Sequence, residues 1–211
     1  MEQMLLCLDL MGSVAFAVSG VLVGVRRKMD VFGVNVLAVI TATGGGILRD
    51  ILIGDLPPAA FRNPFHVTVA VVTANLAICF MLLHPHLPGR VTGAYNRIMF
   101  WFDTLGVAAF TVDGVMIGVE HGYRDNLFLL VFLGVMTGVG GGILRDILAD
   151  QMPEVLRRHV YATASVAGGL MTGLLMQYSV TARGSLLAGF STVVLLRALA
   201  AHFRWNLPRI E

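Results

Sequence analysis

Gly44-Gly-Gly-Ile-Leu-Arg-Asp-Ile-Leu52 recurs without change as Gly140 to Leu148. Nine consecutive identical residues in one chain of 211 point to an internal duplication, and a duplication organises the reading of everything around it. The likeness extends outward from the nine. Upstream, Asp9-Leu-Met-Gly-Ser-Val-Ala-Phe-Ala-Val-Ser-Gly-Val-Leu-Val-Gly24 aligns with Asp103-Thr-Leu-Gly-Val-Ala-Ala-Phe-Thr-Val-Asp-Gly-Val-Met-Ile-Gly118, with eight of sixteen positions identical. Downstream, Pro57 and Pro153 follow at equal distance.

The duplicated segments are apolar, and so is the chain: 56% hydrophobic residues against 13% charged. A soluble domain carries about a quarter charged residues. This composition leaves too little polar surface for water, so the bilayer is the expected solvent. Crossing roughly 30 Å of hydrocarbon takes about 20 apolar residues per helix. Seven runs qualify: Met4 to Val25, Val31 to Ile53, Phe65 to Leu83, Met99 to Val119, Leu127 to Ala149, His159 to Tyr178 and Gly184 to Ala201. The fold class is therefore all-α integral membrane, a single membrane domain over 1–211. It divides into a first three-helix repeat at 4–83, a second at 99–178 and a seventh helix at 184–201. Three spans per copy is an odd number, so the second copy enters from the opposite side as an inverted-topology repeat.

Positive charge gives the orientation. The first run is preceded only by Glu2 and followed by Arg26, Arg27 and Lys28, the reverse of a signal peptide. With seven spans, these three fall on one side with Arg90, Arg97, Arg157, Arg158, Arg204 and Arg209. Only Arg62, Arg124 and Arg183 fall on the other. Basic loops stay in the cytoplasm, which puts the N-terminus outside. The formal charge of +2 follows from this topology and argues against a nucleic-acid partner. Cys7 and Cys79 lie in spans at different depths and read as buried, unbridged thiols. His84-Pro85-His86 is too sparse for a metal site, and His66, His121, His159 and His202 read as interface or loop residues.

The functional candidates cluster on the duplication. Triple glycines cost about 1 kcal/mol per residue relative to alanine within a helix. Gly44, Gly45 and Gly46, with Gly140, Gly141 and Gly142, are expected to kink or unwind the second and fifth spans. Freed carbonyls then need protein or a watery cavity around them, where they replace an ion's hydration waters. Thr41, Thr43 and Thr137 offer further oxygens. The competing reading is close packing, since Gly20/Gly24, Gly114/Gly118, Gly134/Gly138 and Gly169/Gly173 share small-residue spacing. Arg49-Asp50 and Arg145-Asp146 are charges inside spans, which pair or face water. They are expected to form a charged vestibule at each end of an hourglass, or to act as structural salt bridges. Asp9 and Asp103 sit at equivalent positions. Asp113 lies roughly 15 Å along its helix from Asp103, near mid-membrane, with Ser19 as its repeat counterpart. It is expected to attract a cation or accept a proton, the alternative being a protonated structural hydrogen-bonder. Arg197 either pairs with one of these acids or marks the end of the seventh span.

The duplicated Gly-Gly-Gly-x-x-Arg-Asp motif, with seven spans and an outside N-terminus, resembles the prokaryotic branch of the trimeric intracellular cation channel family over nearly the whole chain. That resemblance implies a homotrimer in the inner membrane of a prokaryote, with one pore per subunit around the second and fifth spans. It implies permeating K+ or Na+, no cofactor, and membrane lipids as surroundings. The animal members' basic-acidic lipid-binding motif is absent from this chain, so lipid regulation is not carried over. Some bacterial relatives are described as glycine transporters, so the second expectation is a secondary transporter in which broken-helix ends hold a zwitterion. Lys28, the only lysine, lies in a loop, which excludes a retinal Schiff base in a helix. No arrangement of catalytic side chains suggests an enzyme.

Overall fold

The computed structural model describes residues 2–83, 92–157, 160–203 and 205. His84-Pro85-His86, Arg90, Arg158, His159, Arg204 and Arg209 lie outside the described residues. Among those described, the chain forms α1 (Glu2–Arg26), α2 (Val31–Ile53), α3 (Ala59–Arg62), α4 (Phe65–Leu83), α5 (Thr92–Glu120), α6 (Leu127–Leu148), α7 (Glu154–Arg157), α8 (Ala162–Gln177) and α9 (Ala182–His202). Six of these helices (α1, α2, α4, α5, α6 and α9) are long and apolar enough to cross a membrane. The four-residue helices α3 and α7, one after each glycine-rich helix, have no counterpart in the sequence reading, because a single turn leaves no apolar period to detect.

Short capped turns fold the long helices back on each other. The Asp30 carboxylate accepts a 2.7 Å hydrogen bond from the Gly33 amide and starts α2. Asn126 does the same for α6 through the Leu129 amide at 3.1 Å. Gly54 ends α2 at φ 74°, a left-handed conformation that suits glycine, with its amide bonded to Asp50 and Ile51 carbonyls.

Helix α2 runs without a break through Gly44–Gly46, and α6 through Gly140–Gly142. The expected unwinding does not occur, and freed carbonyls are not what these glycines supply. They remove bulk. A Cβ on Gly45 would collide with the Thr137 carbonyl, and a Cβ on Gly141 with the Thr41 carbonyl. As position rises along α2 its partner falls along α6, so the two helices cross antiparallel, backbone against backbone. The α1 and α5 pair repeats the pattern: Gly12 packs on Phe110 and Gly106 on Phe16, with the two rings 5.3 Å apart. Gly20 packs on Ala38 and Gly114 on Thr137, joining each first helix to the next. Small residues that let backbones approach are the usual adhesive where lipid supplies no hydrophobic drive.

The molecule's outer surface is apolar, with Phe32, Leu76, Phe80, Phe128 and Leu195 exposed and α4 burying only Ala70 and Ala74. Cys7 and Cys79 are free and face outward on this surface, not inward as expected. A thiol is small and weakly polar enough to face hydrocarbon, so membrane depth does not imply burial in protein.

Candidate functional site

Two ionic clusters flank the glycine crossing, one from each copy of the repeat. In the first, the Arg49 guanidinium spans two carboxylates: Asp50 Oδ1 at 2.9 Å and Asp113 Oδ2 at 2.8 Å. The other Asp50 oxygen accepts the Ala59 amide at 2.8 Å and so fastens α3 beneath α2. In the second cluster, Arg145 Nε donates to Asp146 Oδ1 at 2.8 Å, and Asp146 Oδ2 accepts the Glu154 amide of α7 at 2.8 Å. Asp50 and Asp146 thus do the same work, each tying a glycine-rich helix to the turn after it.

Beyond that shared core the clusters diverge. Arg145 Nη1 reaches Asp103 at 2.9 Å and also hydrogen-bonds Ser19 Oγ. Ser19 is Asp113's counterpart, so each arginine crosses to the same position of the opposite copy and finds a carboxylate in one case and a hydroxyl in the other. Asp103 is fully buried and receives two more donors, Arg197 Nη2 of α9 at 2.8 Å and the Tyr161 hydroxyl at 3.1 Å. Its counterpart Asp9 stays about a quarter exposed, with the His66 ring 3.9 Å away.

A cavity of about 150 Å³ opens beside the first cluster, lined by Asp9, Thr43, Gly46, Arg49, His66 and Asp113 among others. Thr137 also borders it. A second cavity, about 440 Å³, lies at the opposite ends of α1 and α5 between Arg26, Arg27, Tyr95, Phe100, Glu154 and Arg157. Arg145, Asp146 and Asp103 line neither of these two cavities; they are sealed in the core between α5, α6, α8 and α9.

The chain matches the family described as glycine transporter twice, at residues 6–82 and 100–177, one match per repeat. It is 38% identical to a UPF0126 membrane protein of Vibrio cholerae over 98% of this chain and 82% of that one. It is 36% identical to the UPF0126 inner membrane protein YadS of Escherichia coli K12, over 95% and 93% respectively. A TRIC trimeric intracellular cation channel orthologue from Rhodobacter sphaeroides superimposes with a TM-score of 0.85 at 31% identity, covering 96% of this chain and 99% of that one. A prokaryotic TRIC channel crystallised in 0.5 M KCl gives 0.86 at 30%, covering 98% and 100%. This chain belongs to the prokaryotic branch of the TRIC family. It is a multi-pass membrane protein, and these structural relatives are channels.

Within this TRIC-family chain the glycines of each triplet divide their work. Gly44 and Gly45 face Leu144 and Thr137, while Gly140 and Gly141 face Gly45 with Leu48, and Thr41. The third glycine of each set looks elsewhere. A Cβ on Gly46 would stand in the first cavity with only Arg49 Nη2, 3.6 Å away, as a neighbour. One on Gly142 would meet the Tyr161 hydroxyl at 2.9 Å, in the second cluster. The threonine hydroxyls turn inward on their own helices: Thr41 donates to Leu37 O at 2.6 Å, Thr43 to Val39 O at 2.8 Å and Thr137 to Leu133 O at 2.7 Å. Thr43 and Thr137 border the cavity, the Thr137 hydroxyl lying against Gly114 of α5.

Sequence reasoning missed His66 and Tyr161. His66 is an interface or loop residue by expectation; it lines the first cavity and shares a 3.3 Å contact with Ser13 Oγ. Tyr161 opens the sixth apolar run, where aromatics at span ends are commonplace. The available signal was Arg197, an arginine deep in a span that required partners. Of the two expectations for Arg197, a pair with one of the span acids or a mark of its helix end, the first is seen, with Asp103 as the acid and Tyr161 beside it.

Proposed function

We propose that this protein is a potassium-permeable monovalent cation channel with one pore per subunit, constricted where the Gly-Gly-Gly segments of α2 and α6 cross. The pore runs from the acidic cavity at Asp9 and Asp113 towards the larger cavity at the other ends of α1 and α5. Seven spans in two inverted repeats plus a final helix, with the N-terminus outside, carry it across the inner membrane of a prokaryote. Three subunits assemble as a homotrimer, as the name of the Rhodobacter sphaeroides orthologue says of that protein.

The observation that supports this most is the cavity pair on opposite sides of the α2–α6 crossing. Carboxylates at one mouth concentrate cations. Weak oxygen sites at Asp9, Asp113, Thr43 and Thr137 suit an ion that must bind and leave quickly. In the conformation described, the second cluster closes the path, which is a closed gate in this reading.

One observation favours a second reading. Asp9 and Arg49 present a carboxylate and a guanidinium to the same 150 Å³ space, complementary to the two ends of a small zwitterion such as glycine. One open half and one sealed half also suit an alternating-access carrier. Reconstituted liposomes separate the two. Potassium-dependent flux that does not saturate and needs no glycine supports the channel. Saturable uptake of labelled glycine without potassium flux supports the carrier.

A further inference from the structure

The two copies of the repeat supply equivalent acids, Asp9 and Asp103, yet only one of them is left open. Asp103 is fully buried, and three donors converge on it: Arg145, Tyr161 and Arg197. Two of these donors belong to the repeat. The third comes from α9, the helix that stands outside the duplication. Arg197 is 3% exposed, and its Nη2 lies 2.8 Å from Asp103 Oδ2. The guanidinium lies over the Tyr161 ring at 4.2 Å from its centroid and 5.5 Å from that of Phe100. Its Nη1 is buried without a hydrogen-bond partner.

Arg145 Nη2 is the other buried nitrogen without a hydrogen bond, and it has the Asp146 carboxylate 2.8 Å away, whereas the Arg197 guanidinium lies against ring faces. A buried guanidinium costs several kcal/mol of desolvation, which its partners repay only if every donor is satisfied. Here one nitrogen has aromatic faces in place of acceptors. Aromatic faces stabilise cations as a class, without demanding a guanidinium. Charge balance points the same way. Asp103, Asp146, Arg145 and Arg197 cancel. Without Arg197 the cluster keeps one surplus negative charge, at the position where the first repeat exposes Asp9 to its cavity. Phe100 and Glu154 border the larger cavity, so the cluster sits one side chain away from water.

We infer that Asp103 and Tyr161 form a second monovalent-cation site, and that Arg197 occupies it as a tethered cation supplied by α9. Arg197 stands where a permeating ion would otherwise bind, and its withdrawal with α9 empties the site for a mobile ion. Closure of this half of the path is then a competition between a covalently attached cation and a free one. The role in conduction rests on the channel reading, but the binding site does not.

The test reads binding separately from flux. Arg197→Gln removes the charge and keeps most of the bulk. In detergent, its thermal midpoint should rise when choline chloride is replaced by potassium chloride at equal ionic strength, by more than the wild type's does, because an ion that binds only the folded state stabilises it. Adding Asp103→Asn to the same chain should abolish the gain, whereas Arg197→Lys, which keeps a tethered cation, should match the wild type. If Arg197→Gln cannot be purified in choline, potassium or methylguanidinium during solubilisation should restore a monodisperse protein. A potassium response equal to the wild type's, one that survives Asp103→Asn, or a failure of both cations to rescue, overturns the inference. Reconstituted Arg197→Gln should also pass potassium several-fold faster than the wild type. A binding shift with no flux in either protein would retain the site and reject the channel.

Discussion

Arg49 of α2 holds Asp113 of α5 at 2.8 Å, a bond from one copy of the repeat to the other at the edge of a cavity. The equivalent bond in the other half joins Arg145 to Ser19, and neither residue lines either of the two cavities described. Replacing one carboxylate by a hydroxyl is one difference between two halves that share the Arg49–Asp50 and Arg145–Asp146 contacts; the burial of Asp103 under Arg145 and Arg197 is another.

Asp113→Asn leaves Arg49 paired with Asp50 alone. Breaking a buried pair costs about 3–5 kcal/mol, and contact with the cavity lets water offset part of that. A loss at or below the low end is expected, read as a fall in the thermal midpoint. Arg145→Gln would leave the fully buried Asp146 without its guanidinium and Asp103 with only Arg197 and Tyr161, and the fall should be larger.

Glycine-to-alanine substitutions should separate packing from pathway. Gly45→Ala and Gly141→Ala each drive a methyl into a backbone carbonyl of the crossing helix. Overpacking of this kind costs about 1–3 kcal/mol, against roughly 1 kcal/mol gained in helix propensity. Gly46→Ala meets only the end of a flexible arginine, 3.6 Å away. It should fold at least as stably as the wild type while reducing unitary conductance, because its methyl stands in the cavity.

Asp50→Asn and Asp146→Asn should behave as a matched pair. Each keeps one oxygen that can still receive the amide of the following turn, Ala59 or Glu154, and loses the charge facing its arginine. Both should lower the thermal midpoint by similar amounts, and neither should change which ion passes.

Asp9→Asn tests the mouth. A half-buried carboxylate at a cavity rim raises the local cation concentration most at low ionic strength, where the Debye length is longest. Conductance of the variant should fall below the wild type's in dilute potassium chloride, and the difference should shrink towards 1 M salt.

Much of this was legible in the chain. The apolar runs at Val31–Ile53 and Phe65–Leu83 are helices over the same residues, because hydrocarbon thickness fixes length and capping residues such as Asp30 mark the ends. The duplication placed Arg49-Asp50 and Arg145-Asp146 at matching points, and their bonds to the next turn are the same; of the two expectations for Arg145-Asp146, a vestibule or a structural salt bridge, the buried ion pair is the one seen. What the sequence hid was the division between the halves. Asp9 and Asp103 occupy equivalent places in the duplication, and only the arrival of Arg197 from a helix outside it seals one of them. The glycines misled for a related reason. Their propensity argued for a broken helix; the competing expectation of close packing is what the α2–α6 crossing bears out, and only the identity of the facing helix is invisible in local sequence. The exposure of Cys7 and Cys79 shows the same limit on a lipid-facing surface.

The central claim is ion conduction through each subunit, and single-channel recording tests it most directly. Purified protein in planar bilayers under a potassium gradient should give discrete unitary currents reversing near the potassium potential. Asp113→Asn should show an altered unitary conductance. Membranes containing demonstrably folded protein that stay silent, for the wild type and for Arg197→Gln alike, while the same preparation takes up labelled glycine into liposomes saturably, would contradict the account.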